Sequence, residues 1–385
     1  MRASKLILVL IIALLFGACG GEEGFPPWDP ADEGTVVYYA RAVDEGAEVA
    51  SVSVNGTSAE KTGWPCDPRA GVLPIDGQVL FAYNGALYSA RPAGVPKVFI
   101  DFGSGIAKEI QTDDASGKEV VTSWRIDNSI TDICTDESGR RVAFRLDQLQ
   151  LPLKKEHSSR YSKEEIASFL DRDDFYVDEG AYVLDLESGD VDYLVPTADV
   201  FCFLDESYLA VEYGLTVCRT FLENPGEINV MVPDDYFELG WTPIVTSGGG
   251  TDVVLCNRAK AGSDTIVLNS LYVLEDGRLP ESPLVTIEFS ERADRVLVSP
   301  DGRYAAIDVL KGSLGGSSLY IADLEKGTYK LLTENASIHT FLPSSNGLVY
   351  FAEGDAPGRG DLWAVGLNGS GLERLTDTGD VLPSP

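Results

Sequence analysis

Histidine is nearly missing from this 385-residue sequence, with His157 and His339 its only two. Sites that gather several imidazoles around a metal therefore cannot be built from it. Basic residues are scarce too. Thirty Lys plus Arg stand against 61 Asp plus Glu, a formal net charge of −31. That balance excludes the basic footprint needed to displace counterions from nucleic acid, and it disfavours acidic partners. No long apolar run occurs after Phe16, so no later segment has the length to cross a bilayer as a helix. A Gly-x-Ser-x-Gly elbow is absent, and Ser313 and Ser317 lie among glycines in another arrangement. Gly248-Gly249-Gly250 is not followed by the Lys-Ser or Lys-Thr of a phosphate loop and reads as hairpin punctuation.

What is present is an ordinary globular composition, 44% hydrophobic and 24% charged, preceded by an address. Arg2 and Lys5 lead into the apolar run Leu6–Phe16, and small residues then reach Cys19. This is the three-part pattern of a secretory signal, too short to span a hydrocarbon core of about 30 Å. Phe16-Gly17-Ala18-Cys19 resembles the lipobox of bacterial lipoproteins, with Phe in the place of the usual Leu. The resemblance implies that residues 1–18 are removed and that Cys19 is diacylated. Residues 19–34, rich in Gly, Pro and acid, read as a tether. Gly20 stands where an inner-membrane retention signal has Asp, a pattern similar to outer-membrane sorting where the host has such a membrane. The acidic body is repelled by anionic headgroups, so the lipid alone is expected to hold it to the membrane. Export permits disulfides. Cys66, Cys134, Cys202, Cys218 and Cys256 remain, an odd number. Cys202 and Cys218 are the first candidate pair; the alternative is five small buried hydrophobes.

From residue 35 onward a turn followed by a β-rich run keeps returning. Asp76-Gly77 leads into Gln78–Tyr83, Ser138-Gly139 into Arg140–Arg145, and Asp301-Gly302 into Arg303–Ile307. A second alternating run follows each unit: Glu48–Gly56, Ala86–Ala90, Ala181–Leu186, Glu227–Val232, Ser270–Leu274, Ser318–Leu324 and Asp361–Leu367. Short fourth strands such as Tyr329–Thr333 come after most of them. Seven units of four strands predict an all-β, seven-bladed β-propeller over 35–385, with six or eight blades as the range because 103–130 resists parsing. Thr35–Ala40 begins as a second strand and Val381–Pro385 reads as an inner strand, so the N- and C-terminal strands are expected to close the ring.

The phrases Ser299-Pro300-Asp301-Gly302-Arg303-Tyr304, Leu319-Tyr320-Ile321-Ala322-Asp323-Leu324 and Leu372-Glu373-Arg374-Leu375-Thr376 resemble the TolB-type (WD40-like) propeller repeat. The likeness is dense over 292–376 and degenerate over 35–290. It implies a fold far more than a task. Pectin-lyase-like members of this propeller type hold a metal with several histidines, which two distant histidines do not match.

Long joints between second and third strands mark the working face. The longest expected joint, 146–180, carries a helical insertion in which Ser162 and Glu165 form a capping box and Ile166, Phe169 and Leu170 share a face. Lys154, Lys155, Arg160 and Lys163 make it a basic island on an acidic chain, readable as a docking element or as a helix packed over the rim. The other joints are Gly214–Gly226, Asn257–Ile266, Val309–Ser317 and Glu353–Gly360. Asp171-Arg172-Asp173-Asp174 offers oxygen ligands but lacks the rest of a calcium loop. The acid pairs Asp113-Asp114 and Asp234-Asp235 carry little information individually. The resulting expectation is a lipid-anchored, extracytoplasmic and monomeric propeller of the bacterial envelope. It would bind or scaffold envelope or secreted proteins, without catalysis, metal or cofactor. The alternatives are a carboxylate-dependent glycan hydrolase or lyase at the channel mouth, and a small-ligand or ion sensor.

Overall fold

The computed structural model describes residues 25, 28, 35–44, 46–55, 59–75, 77–113, 117–170, 175–205, 207–213, 216–238, 241–263, 265–311 and 317–384. Residues 1–18, Cys19, all of the expected tether 19–34 except Phe25 and Trp28, and the acidic run 171–174 fall outside them; Trp28 is buried in the core. Among the described residues no helix is long and apolar enough to cross a membrane.

Seven antiparallel sheets follow one another along the chain. The first holds β1 (Val36–Val43), β2 (Gly46–Ser53) and β3 (Glu60–Pro65); the second holds β4 (Val72–Ile75), β5 (Gln78–Tyr83), β6 (Ala86–Ala90) and β7 (Lys97–Asp101). The third has five strands, β8 (Gly105–Asp113), β9 (Lys118–Thr135), β10 (Arg141–His157), β11 (Gly180–Asp185) and β12 (Val191–Pro196). In the fourth are β13 (Asp199–Phe203), β14 (Tyr208–Tyr213), β15 (Thr216–Phe221) and β16 (Ile228–Val230). The fifth comprises β17 (Ile244–Gly248), β18 (Thr251–Ala259), β19 (Val267–Val273) and β20 (Val285–Phe289). The sixth comprises β21 (Ala293–Val298), β22 (Tyr304–Leu310), β23 (Ser317–Asp323) and β24 (Thr328–Glu334). The seventh comprises β25 (Ala336–Phe341), β26 (Gly347–Glu353), β27 (Gly360–Gly366) and β28 (Glu373–Arg374).

The middle strands of a sheet are the apolar ones, because they are covered on both faces. β22 is buried from Tyr304 to Val309, whereas the fourth strand β24 is largely exposed. Apolar clusters lie between consecutive sheets. Leu255, Leu271 and Ile287 of the fifth sheet pack on Val296, Ala305 and Ile307 of the sixth. Ile321 of the sixth meets Ile338 and Leu348 of the seventh. Val349, Phe351 and Leu362 of the seventh meet Val37, Tyr39 and Val52 of the first. A buried Leu or Ile contributes about 2–3 kcal/mol. The first strands of neighbouring sheets also touch, β9 with β13, β13 with β17, β17 with β21 and β21 with β25. Sheets packed face to face around their first strands are a β-propeller.

The first strand and the C-terminal segment meet. Val381 bridges Arg41 of β1 and Gly360 of β27. Ala42 donates to the Asp380 carbonyl at 2.8 Å, Leu382 donates to that of Ala40 at 2.9 Å, and Arg41 pairs with Asp380 at 2.6 Å.

Three expectations need correction, and one unparsed segment takes its place in the fold. Residues 146–157 are not a joint but the distal half of β10, paired with β9 as far as His157 opposite Val120. Gly214–Gly226 contains the third strand β15, so the run Glu227–Val232 supplies the fourth strand, β16. The segment 103–130 becomes β8 and the first two-thirds of β9. All five described cysteines are free thiols, Cys202 and Cys218 included. Those two sit on β13 and β15 with β14 between them, and they pack into different clusters on opposite sides of the sheet. Two strand spacings of about 4.8 Å put their backbones beyond disulfide reach.

Candidate functional site

The third sheet departs from the common pattern because β8 to β10 outrun its other strands. Asn128–Thr135, Arg141–Leu146, β11 and β12 form an ordinary four-stranded sheet. Beyond it, β8, Lys118–Asp127 and Leu149–His157 continue as a three-stranded ribbon. A buried polar latch fixes its root. Asn128 donates to the Phe102 carbonyl at 3.0 Å and accepts from the Gln148 amide at 2.9 Å, and Gln148 also donates to the Phe175 carbonyl at 2.5 Å.

One ribbon face is buried through Ala107, Thr122 and Ile126. The other is divided. At the tip, the segment after β10 folds back as a 3-10 turn (Ser158–Arg160) and a short helix α1 (Lys163–Ala167), whose Ser162–Glu165 capping box is present as expected. Tyr161 and Phe169 cover Lys108, whose ammonium lies 4.8 and 4.4 Å from their ring centres. Phe169 and Leu170 follow the helix, and Leu170 stays exposed. Nearer the root the face is open. Ile106, Arg125 and Leu151 form one cross-strand row, and Asp127 with Leu149 form the next. Ile106 is 56% exposed, Leu149 53% and Leu151 42%. Arg125 is spent on Asp127 at 2.8 Å.

The four basic residues singled out in the sequence fall at this tip, but not as four free cations. Lys154 and Arg160 both pair with Glu156, at 3.0 and 2.7 Å. Tyr161 donates to the same carboxylate at 2.7 Å, and these bonds, that of Tyr161 foremost, hold the Glu156 carboxyl down at about 2. Lys155 and Lys163 are exposed. The apolar row beside them was not read from the sequence. Its only signal is Leu149-x-Leu151-x-Leu153, an alternation that matters only once 146–157 is known to be strand.

A second polar constellation lies where the sixth, seventh and first sheets meet. Bulges of the first strands single out Phe201, Asp294 and His339 in β13, β21 and β25. Arg295 lies opposite Asp308 across β21 and β22. Arg295 Nη1 donates to the carbonyls of Ile338 at 2.8 Å and Ser384 at 3.1 Å, while Asp308 Oδ2 accepts from the Ile338 N–H at 2.8 Å. The Asp308 Oδ1 has no hydrogen-bond partner among the described residues. Asp308 is 2% exposed, and burial pushes its carboxyl up to about 7. Burial also lowers Arg295, while Asp294 beside it is exposed.

His339 bonds to the Tyr38 carbonyl through Nε2 at 2.9 Å and to Ser384 Oγ through Nδ1 at 2.7 Å. A carbonyl only accepts, so Nε2 carries the proton and Nδ1 accepts from the serine hydroxyl. Burial lowers the imidazole to about 4. The pair has nucleophile-and-base spacing, yet a base that weak takes few protons at neutral pH and no carboxylate orients it. The ring ties β25, β1 and the C-terminal segment together. His157 sits far away along the sheet order, exposed at the ribbon tip.

No protein-family model and no curated protein matches the sequence. Among solved structures, an oligogalacturonate lyase in complex with manganese is similar at 12% identity and a TM-score of 0.56, over 92% of this chain and 89% of that one. The oligogalacturonate lyase of Vibrio parahaemolyticus is similar at 10% identity and 0.51, over 85% of each. TolB of Acinetobacter baumannii aligns at 14% identity and 0.46, over 90% and 81%. At such identities the likeness shows the fold alone. It agrees with the sheet order: the chain is a β-propeller.

Proposed function

We propose that this chain is a seven-bladed propeller held outside the cytoplasm by lipid on Cys19, and that it binds or scaffolds a partner protein of the bacterial envelope. In this reading the seven sheets are the blades and Val381 completes the first one, closing the ring. The observation that carries it is the ribbon: an open row of Ile106, Leu149 and Leu151 beside a tip bearing Lys155 and Lys163. A latched ribbon with exposed apolar side chains is a docking element of low ordering cost, since a rigid surface loses little entropy when a partner covers it. The basic tip selects an acidic rim on that partner.

The test is crosslinking in cells followed by affinity purification of the full chain, native against Ile106→Ser/Leu149→Ser/Leu151→Ser. A specific partner captured by the native chain and lost in the triple variant is the expected result. Equal capture by both removes the ribbon from the interface.

Asp308 favours a second reading. A carboxyl raised by burial where three sheets meet, with the exposed Asp294 next to its cross-strand partner Arg295, is suited to general acid–base work on a glycan. Turnover of an extracellular polysaccharide that collapses in Asp308→Asn, with the fold retained, would support it over the scaffold.

A further inference from the structure

Between the fourth and fifth sheets lies a groove of about 330 Å³, lined among others by Arg219, Asn229, Met231, Tyr236, Gly277 and Arg278. Among the described residues no acidic side chain lines it, in a chain with 61 acids against 30 bases. The groove between the second and third sheets makes the contrast. It also holds an arginine, Arg140, but that one is neutralised by Asp185 at 2.9 Å and Glu187 at 3.6 Å. Among the described residues Arg219 and Arg278 enter no ion pair.

The Arg219 guanidinium is positioned before any ligand arrives, and the backbone of Arg278 is fixed beside it. Arg219, on β15, lies with its guanidinium carbon 4.8 Å from the centre of the Tyr208 ring, which itself packs on Phe221 at 4.3 Å. Its other neighbour is a tight turn. Glu275 and Arg278 exchange backbone hydrogen bonds of 3.0 Å, and Asp276 and Gly277 take φ of 51° and 68°, the left-handed pair of a two-residue hairpin loop. A Cβ on Gly277 would stand 2.8 Å from Arg219 Nη1, so the guanidinium rests against this turn where glycine leaves it room. The same turn presents Arg278. Asn229 lies directly opposite Arg219 across β15 and β16, with its amide on the same face. Tyr236 is held by a 3-10 turn (Asp234–Tyr236), on which Arg258 donates to the Asp235 carbonyl at 3.0 Å.

We propose that this groove binds a small oxyanionic ligand, a phosphate or carboxylate group carried on a small molecule. Arg219 and Arg278 contact the charge, Asn229 donates a side-chain N–H, and Tyr236 walls the organic part. Planar guanidinium forks match the oxygens of either group. The acidic body repels anions at long range, so the ligand is selected by contact and not by steering.

The test uses the full-length chain in detergent micelles, with thermal unfolding followed against inorganic phosphate and against succinate, each at ionic strength matched with sodium chloride. A ligand of the native state raises Tm by mass action. The expected result is a saturable rise with one or both anions. Arg219→Gln and Arg278→Gln should each weaken apparent affinity about tenfold or more, while Arg140→Gln leaves it unchanged. A response to phosphate alone identifies a phosphate-bearing ligand, and a response to succinate alone a carboxylate. Arg278 is exposed, so its replacement reads the site even where Arg219→Gln disturbs packing. No saturable rise with either anion, or a rise that persists in both groove variants, overturns the proposal. Neither result depends on the ribbon.

Discussion

Asp308 and His339 belong to one network but respond to pH in opposite senses. Burial raises the Asp308 carboxyl from 3.8 to about 7, so across that interval the native state keeps a proton that the unfolded chain releases. Its contribution to stability therefore falls as pH rises from about 4 to about 7. His339 is lowered from 6.5 to about 4, so its contribution is present above about 6.5 and is lost as pH falls toward 4. Replacing Asp308 with Asn removes the falling component. The Tm of Asp308→Asn relative to native should therefore improve by a few degrees between about pH 5 and pH 8, measured by calorimetry; parallel profiles would refute the buried, protonated carboxyl. The cysteines give a second prediction at this scale. Burial pushes the thiols of Cys66, Cys134 and Cys256 up to about 12 and raises Cys202 and Cys218 as well. A thiol held protonated is a poor nucleophile. All five should react with a disulfide reagent only when the chain unfolds, and fast labelling of any one under native conditions would contradict this.

Among the elements, the ribbon shows what a strand gains by leaving the body. β8 and the distal halves of β9 and β10 bury only one face fully, so their sequences lack the continuous apolar run that marks β22 or β26. For that reason 103–130 has no clear strand pattern in sequence and 146–157 resembles a joint. The capping box was legible, because Ser162 and Glu165 act through local backbone at fixed spacing. Ser162→Ala should cost about 1 kcal/mol locally, seen as faster amide exchange over 163–167 with an unchanged global Tm. The triple substitution at Ile106, Leu149 and Leu151 should likewise leave Tm within about 1 °C, because exposed side chains away from special features contribute little. A large drop would mean that the row is packed against the body and is no docking surface.

On the scale of the whole molecule, the contacts of residues 380–384 matter most. They carry the Val381 bridges to two sheets, backbone bonds to Ala40 and Ala42, and the Arg41–Asp380 ion pair. Ending the chain at Gly379 removes these together and bares the edge of β1. At about 1 kcal/mol per hydrogen bond the loss is on the order of 4 kcal/mol, and a bare edge invites association. The truncated chain should melt well below the native one and aggregate on heating, as read by light scattering during a thermal scan. Unchanged melting would show that the first sheet stands without its C-terminal partner.

The sequence by itself determined the repeat, the turn chemistry and the alternation of strands, because these are properties of neighbours along the chain: a Gly at a tight turn, an apolar residue at every second position. It also determined what cannot be built, since two histidines and a charge of −31 are already counts. Tertiary structure alone decided which strands continue into the ribbon, which thiols face apart, and which charges remain available. Lys154 and Arg160 look like a basic island until Glu156 is seen between them. Arg219 and Arg278 look unrelated until a hairpin turn of the next sheet sets one against the other. Such contacts cross from one sheet to another, and no spacing along the chain encodes the distance between two side chains that only the packed sheets bring together.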